Sequence, residues 1–443
     1  MTSQGNTHKM GDFVRNSATI KIFSIGFLVL ILLIPTAMVS SIIREREERK
    51  DSVVQEINQK WGCRQIVSGP FFTVPYKSFY KDEQDKLQFS IVYLHILPDS
   101  LNISGAIEPH IRYRSIYEAI LYNTRVNISG RFKIPELNQS NINPNNILWE
   151  KATFSVGIAD MRGIQDNIDI VFNEKQYKAN PGLKTTDIAS SGVHSYIPLS
   201  QTDSDLSFSF QLNLNGSEEL HFIPLGKTTH LELESNWPSP SFNGAYLPTN
   251  RQVSDKGFTA EWNVLHLNRN FPQFWLGNQY MVGDSAFGLK LLINADIYQK
   301  SIRVSKYAVM FIVFTFAAFF FSEVLNRKRI HPIQYLLIGF AVIVFYVLLL
   351  SISEHVNFNT AYFVSAFAIT AMITAYSNVI IKNPKFTITV FVILAILYGY
   401  LYIVIQLEDF ALIMGSIGLF ILLATVMYIT RKIDWYALEK DSL

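Results

Sequence analysis

Six long stretches of this chain, residues 22–43, 307–325, 333–352, 358–381, 386–405 and 410–429, carry between them a single formal charge, Glu323. A bilayer core about 30 Å thick takes about 20 residues of helix to cross. A buried helix of a water-soluble protein seldom stays uncharged for so long, so all six read as membrane spans. Of the 74 charged residues, 54 fall within 44–303, which leaves 20 for the other 183 positions. One segment is therefore composed like a water-facing domain and the rest is not.

The short segments between the runs set the orientation, because Lys and Arg concentrate on the cytoplasmic side. Lys9, Arg15 and Lys21 precede the first run, and Arg327, Lys328 and Arg329 lie between the second and third. Lys382 and Lys385 separate the fourth and fifth, and Arg431, Lys432 and Lys440 follow the sixth. The alternate loops, 353–357 and 406–409, hold no cation but contain Glu354, Glu408 and Asp409. The expected topology has cytoplasmic tails at 1–21 and 430–443, an anchor at 22–43, an exported domain over 44–303 and a five-helix bundle over 307–429. At 22 residues the first run exceeds the roughly 7–15 of a signal h-region, and no small-x-small site precedes the charged block 44–50, so it reads as a retained anchor.

Within the exported segment, 44–62 continues the first helix, with Val53, Val54, Ile57 and Trp61 at helical spacing and Gly62 able to end it. The period then changes to two. Residues 205–213 read DLSFSFQLN, with Leu206, Phe208, Phe210 and Leu212 on one face. Similar alternation marks 89–97, 101–107, 126–132, 153–158, 168–172, 231–234 and 262–267. Short alternating strands between Pro, Gly and Asn turns predict a mainly antiparallel β domain with one face buried, as one large unit or two smaller ones. The fold class is thus an α+β membrane protein: six transmembrane helices, one N-terminal and five C-terminal, with a large mainly antiparallel β domain outside the cytoplasm. A three-fold echo, LNISG at 101–105, VNISG at 126–130 and LNLNG at 212–216, reads as turn chemistry at strand ends. Trp237, Phe242, Tyr246, Phe274 and Trp275 lie in Pro/Gly-containing stretches and read either as plugs of the β core or as a binding or membrane-resting surface.

The search for chemistry is mostly negative. No phosphate loop, dinucleotide fingerprint, HExxH or GxSxG is present, so no cofactor or metal is implied. The one cysteine, Cys63, allows no intrachain disulfide, and a net charge of +2 argues against nucleic acid as a partner. Glu354, His355, Gln406, Glu408 and Asp409 share one side of the membrane; together they suit a cation or proton site at the bundle rim, or simply solvate two outer loops. Ser416, within GSIG at 415–418, pairs with His355 on paper as a hydrolase dyad. Close helix packing through small residues explains those glycines better.

At 331–339 the chain reads HPIQYLLIG, which makes His331 and Gln334 candidate residues of a cytoplasmic loop. That stretch, with FYVLLLSISEH (345–355), QLEDFALIMGSIGLF (406–420), RKIDWY (431–436), KWGCRQIVSGPFFTVPY (60–76), RSIYEAILY (114–122), FIPLGKTTHLELESNWPSPSF (222–242) and HLNRNFPQFW (266–275), resembles the bacterial CreD family of inner-membrane, cell-envelope integrity proteins. The resemblance runs in order along nearly the whole chain and is weakest in the N-terminal tail and 138–201. It implies one N-terminal span, a large periplasmic domain, a C-terminal bundle, and a role in envelope integrity linked to a two-component system and colicin tolerance. It carries no catalytic or ligand residues across. The first functional reading is a non-enzymatic membrane protein whose β domain engages an envelope protein, lipid or peptidoglycan. The alternative is a transporter or lipid-handling protein working through the bundle.

Overall fold

The computed structural model describes residues 18–137, 142–203, 205–293, 297–326, 330–407 and 410–431. The chain forms two compact units, one of Met1–Lys50 with Ala295–Leu443 and one of Asp51–Asn294. Helix α1 (Ala18–Trp61) is continuous over 44 residues and ends where the Gly62 N–H bonds to the Asn58 carbonyl at 2.9 Å.

The Asp51–Asn294 unit holds strands β1 (Gln65–Lys81), β2 (Leu87–Ile96), β3 (Ser100–Arg114), β4 (Tyr117–Phe132), β5 (Thr153–Ile158) and β6 (Asp169–Phe172). They are followed by β7 (Lys175–Lys178), β8 (Asn180–Pro181), β9 (Gly192–Tyr196), β10 (Leu206–Ser217), β11 (Glu219–Ile223) and β12 (Thr228–Ser235). The last are β13 (Pro240–Gly244), β14 (Asn250–Ser254), β15 (Gly257–Leu265), β16 (Phe274–Leu276) and β17 (Phe287–Leu291). Two sheets result. The first runs β13-β17-β11-β1-β5-β9-β8, with β2 attached to β1 and β16 to β2, and the second runs β14-β15-β12-β3-β4-β10-β6-β7. Pairing is antiparallel except for β1 with β11 and β12 with β3. The inner faces of both sheets share one core, so this is a single β unit. At its centre Phe72 packs edge-on against Phe132, Phe154 and Phe172 at centroid distances of 4.7, 5.6 and 5.6 Å, the arrangement that aromatic quadrupoles favour.

One expectation changes here. The echoes do lie toward strand ends, Leu101–Gly105 opening β3 and Val126–Gly130 and Leu212–Gly216 closing β4 and β10, but inside the paired ladder and not in turns: Leu101 faces Gly130 and Gly105 faces Val126. The glycines serve close approach instead of positive φ: a Cβ on Gly130 would overlap the Ser100 carbonyl and meet the Phe208 ring at 2.9 Å. Of the two readings of the Pro/Gly-flanked aromatics, plugs of the β core is the one that holds. Trp275 is 3% exposed, and Trp237, Phe242, Tyr246 and Phe274 pack against the main cluster.

The other unit contains α2 (Ile297–Lys306), α3 (Ala308–Asn326), α4 (Pro332–Ser353), α5 (Phe358–Ile381), α6 (Pro384–Gln406) and α7 (Ala411–Thr430). Among the described residues, α1, α4, α5 and α6 are each long and apolar enough to cross a membrane, and α2 with α3, bent by 45°, makes a fifth if taken as one span. Their outward faces are as apolar as their inward ones: Phe367 on α5 and Ile396 on α6 are 73% and 65% exposed. Helices hydrophobic all round need lipid or protein on every side.

Candidate functional site

The rim residues do not gather into one cluster. Glu354 caps the C-terminus of α4, where its Oε1 accepts the Tyr298 hydroxyl of α2 at 3.1 Å and lies 3.9 Å from Arg46 Nε of α1. Gln406 at the end of α6 donates instead to Asn359 Oδ1 in the first turn of α5, at 2.9 Å. His355 is exposed and joins neither pair. Glu408 and Asp409 lie outside the described residues, as do Lys9, Arg15, 327–329 and 432–443. Among the described residues no three His, Cys, Asp or Glu side chains converge as metal ligands.

His331 and Gln334 build a helix start. Pro332 opens α4, His331 Nδ1 accepts the Ile333 N–H at 3.3 Å, and Gln334 Oε1 takes the His331 N–H at 2.9 Å. This reciprocal capping satisfies two donors that a helix start leaves open. Beside it Glu323, the lone charge of the apolar runs, finds its partners. The Lys21 ammonium of α1 pairs with Oε1, the Ile330 N–H reaches Oε1 at 3.2 Å, and the Tyr335 hydroxyl reaches Oε2 at 3.0 Å. A carboxylate this enclosed survives because both of its oxygens have donors, one of them a cation.

The hydrolase pairing does not form. Ser416 Oγ donates to the Ile413 carbonyl of its own helix, and a Cβ on neighbouring Gly418 would overlap the Tyr400 hydroxyl, as close helix packing requires. A different hydroxyl–imidazole–carboxylate series escaped the sequence reading. Thr73 Oγ1 lies 3.4 Å from His95 Nδ1, and His95 Nε2 lies 2.9 Å from Asp187 Oδ2. Thr73 is 2% exposed and His95 fully buried, so no substrate reaches the hydroxyl and the series clasps the Asp187 loop to β1 and β2. Burial pushes the His95 pKa below its ordinary value, opposed by the Asp187 carboxylate.

The open concave feature of the β unit is on the outer face of the second sheet. A depression of about 480 Å³ there includes Ser104, Glu108, Arg125, Asn127, Asp166, Asn213, Glu232 and Glu234. Strand register explains it. One row across the sheet reads Glu261, Glu232, Ser104, Asn127, Gln211, and the next reads Thr259, Glu234, Ala106, Arg125, Asn213. In each row the residue from β3 is small and those flanking it are long, so β3 becomes a floor between walls. A second depression of about 670 Å³ shares Ala106, Glu108 and Glu234 and continues to Gln252 and Lys256. Asn213 is held by Asp166 Oδ2 at 2.8 Å and accepts Gln211 at 2.9 Å. Amides, hydroxyls and carboxylates beside one arginine suit hydrogen bonding to hydroxyl or amide groups, and the carboxylate excess repels anions. The signal was present in the echo itself, because Asn102, Ser104, Asn127 and Ser129 are its outward-facing members.

Comparison with known proteins gives this architecture a family. The family described as "Inner membrane protein CreD" matches residues 17–436. Inner membrane protein CreD of Escherichia coli (strain K12) is 32% identical over 430 residues, covering 94% of this chain and 93% of that protein. With a match over almost its entire length, this chain belongs to the CreD family of inner membrane proteins.

Proposed function

We propose that this protein supports the integrity of the cell envelope without chemical catalysis, by binding an envelope component through the polar groove of its β unit. In this reading residues 44–303 are periplasmic, both termini are cytoplasmic, and the chain crosses the membrane six times, α7 supplying the last crossing. The supporting observation is the groove built on Ser104 and Ala106. Its lining favours the sugar and peptide groups of peptidoglycan or a protein over phosphate-bearing lipid. The test is complementation of an envelope-sensitivity defect by Arg125→Gln, Glu232→Gln and Glu234→Gln combined. These side chains sit on the open face, so each substitution shifts stability by no more than about 0.5 kcal/mol. Inserted variant that fails to complement supports the reading; full complementation refutes it. A reporter active only outside the cytoplasm, fused near Asn357 or Lys382, tests the orientation and should work only at the first.

One observation favours the transport alternative. Among the described residues the buried hydroxyls of Tyr346, Tyr398 and Ser365 have no hydrogen-bond partner, while the Tyr362 hydroxyl donates to the Tyr398 carbonyl at 2.6 Å. An unpaired buried hydroxyl costs about 1–3 kcal/mol, so Tyr346→Phe and Tyr398→Phe should leave the bundle as stable or more so. Loss of complementation by such a stable variant would favour the bundle as the working part.

A further inference from the structure

Among the apolar side chains that the β unit leaves open, a contiguous row lies on the arm formed by β1 and β2. Lateral pairing of β1 with β5 covers Val67–Thr73, and β16 reaches only Leu94–Ile96 of β2. Beyond the Tyr76–Ile147 bridge the two strands run on as a two-stranded hairpin, pairing Lys77 with Ile91, Phe79 with Phe89 and Lys81 with Leu87. Directly opposed residues share a face, so these six make one side of the arm. Ser78, Ser90, Tyr80 and Gln88 make the other. On the first side Phe79, Phe89, Ile91 and Leu87 are 48%, 54%, 44% and 68% exposed. The two phenylalanine rings stand 6.0 Å apart, and Lys77 Nζ lies 5.6 Å from the Phe89 centroid.

A two-stranded hairpin is marginal in water by itself, and an exposed apolar row on one marks an interaction surface. We propose that this face of the arm rests in the lipid–water interface of the membrane that anchors the chain. Three observations carry it. The row carries Lys77, whose ammonium lies 5.6 Å from the Phe89 centroid and within reach of phosphate head groups. No acidic residue occupies that side; in the turn Asp82 Oδ1 accepts the Gln84 and Lys86 N–H groups at 2.9 Å, Asp85 pairs with Lys81 at 2.6 Å, and Glu83 is exposed. Finally, the chain leaves this unit at both ends into the membrane unit, so the bilayer is present at high effective concentration and a modest patch suffices. A second copy docked face to face would bring the two Lys77 ammonium groups together with no acidic residue on either face. This inference is independent of the groove.

The test uses full-length protein carrying Cys63→Ser, with a polarity-sensitive fluorophore attached at Phe89→Cys or, on the opposite face, at Ser90→Cys. Each is reconstituted into phosphatidylcholine–phosphatidylglycerol vesicles containing lipid spin-labelled near the head group. Several-fold stronger quenching at position 89 than at 90 is expected, reduced by Lys77→Gln. Equal quenching on both faces, or none on either, overturns the proposal. So does fluorophore self-quenching at position 89 that depends on protein density, which would mean that a second copy covers the arm.

Discussion

Replacing Gly130 by Ala tests whether the glycines of the echoed motif are required for close approach or for turn geometry. A methyl group on Gly130 would sit inside the contact distance of the Ser100 carbonyl and against the Phe208 ring, and the first of these is backbone that cannot rotate away. Relief means displacing β3 from β4 at the Leu101–Gly130 pair, in the middle of the second sheet. Overpacking of this sort costs about 1–3 kcal/mol. Taking about 2 kcal/mol, amide exchange that proceeds through opening of β3 and β4 should accelerate by roughly 30-fold, since each 1.4 kcal/mol is tenfold. Hydrogen–deuterium exchange of the full-length protein, read peptide by peptide, checks this, with peptides of α5 as an internal standard. Gly130→Asn is the discriminating variant. Asn tolerates a left-handed turn but adds the same Cβ, so close approach predicts that Asn is at least as damaging as Ala. If Gly130→Asn exchanges like the parent protein while Ala does not, the packing argument is wrong and the motif marks a turn after all.

Removing one partner of the part-buried Lys21–Glu323 pair, by Lys21→Met or Glu323→Leu, should cost about 1–3 kcal/mol, seen as earlier thermal aggregation of the detergent-solubilised protein; the double variant should recover most of the loss. The His95 imidazole holds its proton less tightly when folded than the ordinary value near 6.5, because it is buried. Its contribution is therefore fully present above about pH 6.5 and is lost as pH falls through the depressed folded value. Protease resistance of the β unit should drop over that acidic window, and His95→Gln should flatten the dependence.

Much of the architecture was legible locally. The predicted strand at 153–158 matches β5, and the predicted run at 358–381 matches α5, because hydropathy and period are properties of neighbouring residues. Strand β1, the longest of the β unit, escaped because its middle is buried almost continuously and so shows no alternation, and because Pro70 and Pro75 interrupt it. What the amino-acid order determined by itself is therefore the α+β class, the apolar runs, the Asp/Glu and Lys/Arg asymmetry of the loops, and a family likeness that comparison upheld. What only the tertiary structure decided is which of those residues meet. Lys21 reaches Glu323 across 302 positions, His95 finds Asp187, and the parallel register of β12 on β3 sets Glu232 beside Ser104 to raise a wall over a floor. The same closure buries Trp275 and leaves Phe89 open, although both are aromatic residues of paired strands. Composition assigns a side chain its preference for water or lipid, but its neighbours come from strand register and helix packing, and those are settled by the free energy of the whole fold.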